Sequence, residues 1–150
     1  MIAISSDHAG FALKKEVEAH LDARGIKYKE FGATSEEAFS YAVAALGACN
    51  AVVSGDCERA ILICGTGIGI SMAANKVRGI RAACCSDHFS AKYTRLHNDA
   101  NALCFGARVI GGGVACELVD IFLDTAFEGG RHAPRVDMIM QIEKTGKIEG

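Results

Sequence analysis

The sequence predicts an α/β fold in three layers, with a five-stranded parallel sheet between two layers of helices and an extra helix at the C-terminus. Short apolar segments alternate with longer amphipathic segments about five times along the chain. Such alternation is typical of parallel sheets, because each helix carries the chain back to begin the next strand. Hydrophobic residues make up 50% of the 150 residues, enough for a sizeable core. We expect residues 1–150 to form a single domain.

Five apolar segments have the length and composition of strands. The strands are predicted at residues 2–5, 26–31, 60–63, 81–85 and 103–105. The third reads Ala-Ile-Leu-Ile, a continuous apolar run that is typical of a strand buried on both faces. The second alternates less cleanly, so we expect it near an edge of the sheet.

Six segments have the composition or apolar spacing of helices. They are predicted at residues 11–24, 36–53, 70–77, 89–96, 114–127 and 134–144. Gly25 ends the first helix. Ser35, with Glu36 in the first turn, is expected to begin the second. Asp87 is expected to cap the fourth.

Composition and charge narrow the classes of partner. The formal net charge is −2 at pH 7, so the chain lacks the basic excess that binds nucleic acid or an anionic membrane surface. No apolar run approaches the roughly 20 residues that span a bilayer. The N-terminus shows no basic region followed by a cleavage site. We therefore expect a soluble cytoplasmic protein that binds neither nucleic acid nor membrane.

The seven cysteines favour a reducing compartment. They stand at positions 49, 57, 64, 84, 85, 104 and 116. Their number is odd, no CxxC pair occurs, and most lie in apolar, alanine-rich surroundings. Small buried thiols in the cytoplasm are the simplest interpretation for most of them. Zinc ligation by these cysteines lacks the paired spacing that it needs.

A glycine-rich segment follows the third strand. Residues 64–69 read Cys-Gly-Thr-Gly-Ile-Gly, with glycines at alternate positions. Glycine permits positive φ and close backbone approach, and the N–H groups of such a turn, with the N-terminus of the next helix, attract anions. Cys64 stands where the strand becomes the loop. These amides favour a thiolate and could stabilise an oxyanion on a substrate carbonyl, so the segment predicts a reaction centre.

Other polar residues follow strands of the same sheet. Asp7 and His8 come after the first strand, Ser86 and Asp87 after the fourth, and Arg108 after the fifth. Open α/β sheets bind ligands at the edge where the strands' carboxyl ends meet. We therefore expect these residues and the glycine-rich segment to face one crevice.

Three more residues have the chemistry that a sugar-phosphate site would need. Arg131 and Arg135 are four residues apart, a spacing that lets two guanidinium groups hold a phosphate. His97 lies in a polar stretch that is hard to place in a core, and it could open a ring sugar or move protons between oxygens. A thiol base, oxyanion donors and phosphate-binding arginines can together move a proton between adjacent carbons of a sugar phosphate.

Three other interpretations stay open at this point. The glycine run could bind a dinucleotide, with Asp87 about 20 residues further on for a ribose, but the pattern is GxGxG and follows the third strand. Cys64 could be a covalent nucleophile or a redox thiol, although no resolving cysteine is evident. A non-catalytic sugar-phosphate sensor would need the phosphate site but not Cys64.

Five motifs together resemble one known family. They are SDHAG at residues 6–10, CGTGIGISMAANK at 64–76, GIRA at 79–82, RLHNDAN at 95–101, and EGGRH at 128–132 followed by Arg135. In this order, over about residues 2–144, the chain is similar to the type B ribose-5-phosphate isomerases, whose scaffold the galactose-6-phosphate isomerase subunits share. The resemblance implies a Rossmann-like domain, a homodimer or dimer of dimers, and no metal or other cofactor. It also implies interconversion of ribose 5-phosphate and ribulose 5-phosphate through an enediolate.

The resemblance implies a role for each matching residue. Cys64 would move the proton between C1 and C2, His97 would assist ring opening, and Thr66 would help to steady the enediolate. One branch of the family uses a glutamate of the glycine loop instead, but Ile70 stands there in this chain. The residues implied in substrate binding are Asp7, His8, Gly65, Gly67, Ile68, Gly69, Asn98, Arg108, Arg131 and Arg135. Of these, His8, Arg131 and Arg135 would hold the phosphate, and some members of the set would reach across a subunit interface.

The chain departs from the family's pattern before the second helix. Most members have Asp-Tyr-Pro there, whereas residues 40–42 read Ser-Tyr-Ala. The tyrosine is kept, but the acid and the turn-fixing proline are replaced, so we expect a differently shaped loop beside the sugar. Isomerisation of a six-carbon sugar phosphate, such as allose 6-phosphate or galactose 6-phosphate, stays open as the alternative.

Overall fold

A computed structural model describes residues 1–149 and shows helices on both faces of one parallel sheet. The strands are β1 (Ile2–Ser6), β2 (Tyr28–Gly32), β3 (Arg59–Cys64), β4 (Ala82–Cys84) and β5 (Ala102–Gly106). The helices are α1 (Phe11–Ala23), α2 (Tyr41–Val53), α3 (Ile68–Ala74), α4 (His88–Asn98), α5 (Gly112–Asp124) and α6 (Ala133–Thr145), with a 3₁₀ turn at Gly130–His132. The strand order is β2-β1-β3-β5-β4, and every pairing is parallel. The predicted three-layer fold with its extra C-terminal helix is confirmed.

Each face of the sheet has its own apolar core. Successive side chains of a strand point to opposite faces. Ile4, Ile63 and Phe105 pack with α1, α4 and α5, whereas Leu62 and Cys104 pack with α2 and α3. The second strand is an edge strand, as its uneven alternation predicted. Within the part of the chain that the structure describes, no helix is long and apolar enough to cross a bilayer.

The predicted start of the second helix is wrong. The N-cap is Ser40, whose backbone is extended and whose side chain accepts the N–H of Ala42 at 3.2 Å. Ser35 and the two glutamates after it lie in bends before the helix. Acidic residues favour a first turn but do not create one, because most helical stability comes from an apolar face to bury. The loop between β2 and α2 is therefore longer than predicted.

A buried lysine ties this loop to the first helix. Lys14 is fully buried, and its Nζ donates to Glu30 Oε1 at 2.7 Å, to the carbonyl of Phe31 at 3.2 Å and to that of Ala33 at 2.6 Å. Three acceptors satisfy the three N–H bonds of the ammonium group. Helix α1 thus fixes the end of β2 and the beginning of the loop that leads to Ser40.

Candidate active site

The glycine loop, defined here as residues 65–69, lies directly against Cys64 at the end of β3. The Cys64 Sγ accepts the N–H of Gly67 at 3.1 Å. Gly67 has φ +80°, and a Cβ there would lie 2.7 Å from the Phe105 backbone, so only glycine fits. Cys64 itself is 4% exposed, whereas Thr66 and Ile68 are exposed. The sulfur therefore lies under the loop, beside exposed positions.

The loop supplies amide donors rather than a strong helix dipole. Helix α3 begins at Ile68, earlier than predicted, and has only seven residues. The N–H of Ile68 donates to Thr66 Oγ1 at 3.2 Å. Within residues 1–149, the N–H groups of Gly65 and Thr66 have no hydrogen-bond acceptor. Unpaired amides beside an anion or a developing oxyanion are the donors that such a site needs.

The loop after β1 lies alongside the glycine loop. The N–H of Asp7 donates to the Ile63 carbonyl at 3.2 Å, which places Asp7 next to Cys64. Asp7 is buried, and its Oδ1 accepts the N–H of Gly10 at 3.0 Å. The exposed His8 has its Nδ1 3.1 Å from both the N and the O of Phe39. When Nδ1 accepts the Phe39 N–H, Nε2 carries the proton and can donate to an anion.

Arg108 completes this edge of the sheet. Its backbone N–H donates to the Gly65 carbonyl at 3.0 Å, and its guanidinium lies 3.1 Å from the position that a Gly65 Cβ would occupy. Asp87, by contrast, is occupied as the cap of α4, since its Oδ1 accepts the N–H of Ser90 at 2.7 Å. We call Asp7, His8, Cys64, the glycine loop and Arg108 the thiol half-site.

Two residues absent from the predicted site also border the glycine loop. The ring of Tyr41 lies 3.0 Å from where a Gly69 Cβ would be. The exposed Cys84 has its Sγ 3.9 Å from the Thr66 carbonyl. Cys84 could have been found from its position at the carboxyl end of β4, and Tyr41 from the expectation that residues 40–42 lie beside the sugar.

The remaining predicted residues form a second group around a separate cavity. His97 and Asn98 lie in the last turn of α4, Arg131 in the 3₁₀ turn and Arg135 in α6. They line a cavity of about 240 Å³ together with His132, which the sequence prediction missed. We call His97, Asn98, Arg131 and Arg135 the arginine half-site.

Three side chains surround the imidazole of His97. The ring stacks on His132 with centroids 3.9 Å apart and planes 14° apart, and the ring of Tyr93 is nearly perpendicular to it with centroids 4.9 Å apart. Glu128 Oε2 is 3.8 Å from the Nε2 of both histidines. His132 is buried and its Nε2 has no hydrogen-bond partner within residues 1–149. Burial lowers the pKa of His132, and the charges of His97 and Arg131 lower it further.

His97, Glu128 and His132 are also the residues that come nearest to a metal site, since their ligand atoms lie within 4.8 Å of one another. An imidazole nitrogen binds a metal in the plane of its ring. The two stacked rings are nearly parallel, so one ion cannot lie in both planes. The arrangement of these side chains therefore fits a stacked pair of histidines better than a metal centre.

The two half-sites lie at opposite edges of the sheet within one chain. The thiol half-site follows the carboxyl ends of β1, β3 and β5. Helix α4 starts beyond the carboxyl end of β4 and returns to the start of β5, so its last turn reaches the amino edge. The N–H of Asn101, just before β5, donates to the carbonyl of Arg81, just before β4. Asp7, His8, the glycine loop and Arg108 therefore lie at the edge predicted for the crevice, whereas the arginine half-site of the same chain lies at the opposite edge.

Comparison with known proteins identifies the family. The sequence profile described as Ribose/Galactose Isomerase matches residues 2–139. Ribose-5-phosphate isomerase B of Escherichia coli K12 is 48% identical over 143 residues, which cover 95% of this chain and 96% of the relative.

Two solved structures share the fold closely. The Clostridium thermocellum ribose-5-phosphate isomerase B superposes with a TM-score of 0.95 at 49% identity, covering 97% of this chain and 99% of that one. The Mycoplasma genitalium enzyme with bound ribulose-5-phosphate superposes with a TM-score of 0.90 at 38% identity, covering 96% of both chains. With such similarity along nearly its whole length, the chain belongs to the Ribose/Galactose Isomerase family and is a sugar phosphate isomerase.

Proposed function

We propose that this isomerase interconverts ribose 5-phosphate and ribulose 5-phosphate through an enediolate, with Cys64 as the base, in a site assembled from two subunits. The observation that carries the mechanism is the Gly67 N–H donating to Cys64 Sγ at 3.1 Å beneath the unpaired amides of the loop. A donated N–H stabilises a thiolate more than a thiol. The thiolate would remove a proton from one carbon while the N–H groups of Gly65 and Thr66 stabilise the oxyanion on the next.

The arginine half-site would supply the remaining roles from the partner subunit. Arg131 and Arg135 are exposed beside the cavity that His97 also lines, so a phosphate and a ring oxygen could be bound together there. His8, whose Nδ1 is fixed by Phe39, would donate to the same phosphate from the thiol half-site. Thr66, Asn98 and Arg108 would contact the sugar between them.

The apolar surfaces beside each half-site support a two-fold dimer. Helix α6 buries only Val136, while Ile139 and Ile142 are 45% and 49% exposed. On the other side, Leu46 and Met72 are 51% and 64% exposed beside the glycine loop. In a two-fold dimer, if one surface of the first subunit contacts a different surface of the second, the same contact occurs again with the two subunits exchanged. Packing α6 of one subunit on α2 and α3 of the other would complete two identical sites.

The cysteines support a cytoplasmic location for this enzyme. All seven thiols are free, and five of them are buried. Free thiols persist where the compartment is reducing.

The decisive experiment replaces the thiol. Cys64→Ala should lower turnover of ribose 5-phosphate by about 10²–10⁴-fold, the usual contribution of a positioned base, with little change in substrate affinity. A coupled assay for ribulose 5-phosphate measures turnover, and calorimetry measures binding. Cys84→Ala is the matched control, since it removes an exposed thiol beside the same loop and should leave turnover unchanged. Retained activity in Cys64→Ala would reject the thiol as base.

Kinetics with each aldose phosphate, measured by the formation of its own ketose phosphate, decides the size of the sugar. We expect ribose 5-phosphate to have a higher kcat/KM than allose 6-phosphate or galactose 6-phosphate. The reverse order would show that a six-carbon sugar is the substrate and would leave the role of Cys64 untouched.

A further inference from the structure

The turn that ends α4 has an unusual backbone. Asp99, the C-cap, has φ +47° and ψ +43°, and it is the one non-glycine residue with positive φ among residues 1–149. Left-handed conformation is strained for residues with a side chain, although Asp and Asn tolerate it best. Glycine is the usual residue at such a helix end. Because glycine would adopt this conformation with less strain, an aspartate here indicates that the carboxylate has a role of its own.

Two arginines hold that carboxylate. Asp99 Oδ1 accepts from Arg95 Nη1 at 2.8 Å, and Oδ2 accepts from Arg81 Nη2 at 3.2 Å. The main-chain carbonyl of Asp99 accepts from Nε and Nη2 of Arg81 at 3.1 and 2.8 Å. The side chain of Arg95 is 4% exposed and that of Arg81 is 18% exposed, whereas that of Asp99 is 35% exposed, so the two guanidinium groups are largely out of solvent and the carboxylate is partly screened.

The same arginines connect the elements of the arginine half-site. Arg95 Nη1 donates to the Ala100 carbonyl at 2.6 Å, and its Nε donates to the carbonyl of Thr125, just after α5, at 3.2 Å. Arg81 Nη1 lies 3.4 Å from Met140 Sδ on α6. The end of α5 contacts Arg95 and helix α6 contacts Arg81, so both elements are joined to the last turn of α4 through the two arginines that hold the Asp99 carboxylate.

We propose that Asp99 is a positioning residue for His97 and Asn98. Its carboxylate, held between Arg81 and Arg95, fixes the last turn of α4 so that the imidazole of His97 stays stacked on His132 and faces the substrate. The inference rests on the proposed function, because the role of His97 in ring opening comes from it.

Two measurements separate ring opening from proton abstraction. Ribulose 5-phosphate stays open-chain, since the oxygen that would close its ring carries the phosphate. Exchange of its C1 hydrogen for deuterium in D₂O needs only removal of the proton by Cys64 and return of a deuteron. Turnover of cyclic ribose 5-phosphate needs ring opening as well. A residue that positions His97 should affect the second measurement far more than the first.

The experiment compares Asp99→Asn and Asp99→Gly with wild type. Asn keeps the left-handed conformation without the charge, and Gly removes the strain together with the carboxylate. Both variants should lower kcat for ribose 5-phosphate by about 10- to 100-fold, as misplaced catalytic groups do. Exchange at C1, followed by NMR, should stay within about twofold of wild type. Asp124→Asn, which removes an exposed carboxylate paired with Arg24, is the control and should change neither rate.

The other outcomes overturn the proposal. Wild-type turnover in Asp99→Gly would show that the turn needs only its backbone conformation. An equal fall in turnover and exchange would show general damage to the site. If circular dichroism shows that the Asp99 variants do not fold, Arg81→Lys tests the proposal, because a lysine cannot donate to the Asp99 carboxylate and carbonyl together. In that variant too, an equal fall in turnover and exchange would overturn the proposal. A wild-type protein with neither turnover nor exchange would instead refute the proposed function, and the inference with it.

Discussion

At the scale of single residues, the surroundings of Cys64 separate it from the other six thiols. Burial raises the pKa of Cys49 to about 12 and that of Cys85 to about 11, so both stay protonated at neutral pH. Loss of hydration by the surrounding protein also raises the pKa of Cys57, Cys84, Cys104 and Cys116. Cys64 is buried as Cys49 and Cys85 are, but it has a backbone N–H directed at its sulfur. This contact is the reason that Cys64 is the thiol we propose as the base.

The buried His132 should make stability depend on pH. Because burial lowers its folded-state pKa, the unfolded chain binds more protons as the pH falls below the ordinary histidine value of about 6.5. Its contribution to stability is therefore full above that value and is lost as the pH falls through the folded-state pKa. We expect urea unfolding of wild type to weaken between pH 6.5 and 5 more than that of His132→Asn. Parallel pH curves for the two proteins would contradict this.

At the scale of elements, the loop after β3 packs so closely on the end of β5 that residue 106 has no room for a side chain. A Cβ on Gly106 would lie 2.5 Å from the backbone of Thr66 and 2.7 Å from the Gly65 carbonyl oxygen. Gly106 does not have positive φ, so its requirement is purely one of space. The glycine loop can therefore lie over the end of β5 only when residue 106 lacks a side chain.

Gly106→Ala should displace the loop and impair catalysis without unfolding the protein. We expect kcat to fall by at least about tenfold, because the amides and the thiol lose their alignment. Steady-state kinetics with circular dichroism measures this. Gly111→Ala is the matched control, since a Cβ there has nothing within 4 Å. Equal activity of the two variants would show that the loop tolerates the shift.

The link from α1 to β2 depends on one ammonium group. Lys14→Met should lower the free energy of unfolding by about 3 kcal/mol, since it leaves two carbonyls and a carboxylate without their buried donor. Lys29, on β2 next to Glu30, is exposed and forms no ion pair within residues 1–149. Lys29→Met should therefore lower it by less than about 1 kcal/mol. Urea unfolding measures both, and similar losses would contradict the burial argument.

At the scale of the whole molecule, the thiol half-site and the arginine half-site of one chain lie at opposite edges of the sheet. The topology requires this, because a residue that follows a parallel strand and a residue that ends the next helix lie at opposite edges. Each half is bordered by exposed apolar side chains, on α2 and α3 in one case and on α6 in the other. In the proposed dimer, a second copy would cover both surfaces and bring the two half-sites together.

Mixing two inactive variants tests the shared site. Cys64→Ala and His97→Asn each remove one half of every site in their own homodimers. After co-refolding, a mixed dimer carries both defects in one site and neither in the other. Random pairing makes half of the dimers mixed, so we expect about a quarter of wild-type activity. Activity that stays at the level of the separate variants would show that each chain completes its own site.

Much of this structure is local in origin and could be predicted from the sequence. The alternation of apolar strands with amphipathic helices predicts a parallel sheet. It can be read from the sequence because the apolar spacing of each strand or helix involves only a few neighbouring residues. The glycines of residues 65–69 place a tight loop after β3 for the same reason. The error at the start of α2 arose where two serines offered competing caps, and burial of the apolar face decided between Ser35 and Ser40.

Only the tertiary structure decided which predicted residues share a site. His97 precedes a strand, whereas Asp7 and Cys64 follow one, and that difference in order was the available signal for opposite edges. The stacking of His97 on His132 and the approach of Tyr41 to Gly69 join segments far apart in sequence, so no local pattern encodes them. The sequence by itself determined the order of elements and the chemistry of each loop, because these depend on neighbours along the chain. The folded structure decided the division into two half-sites, since that depends on where parallel strands and their return helices end in space.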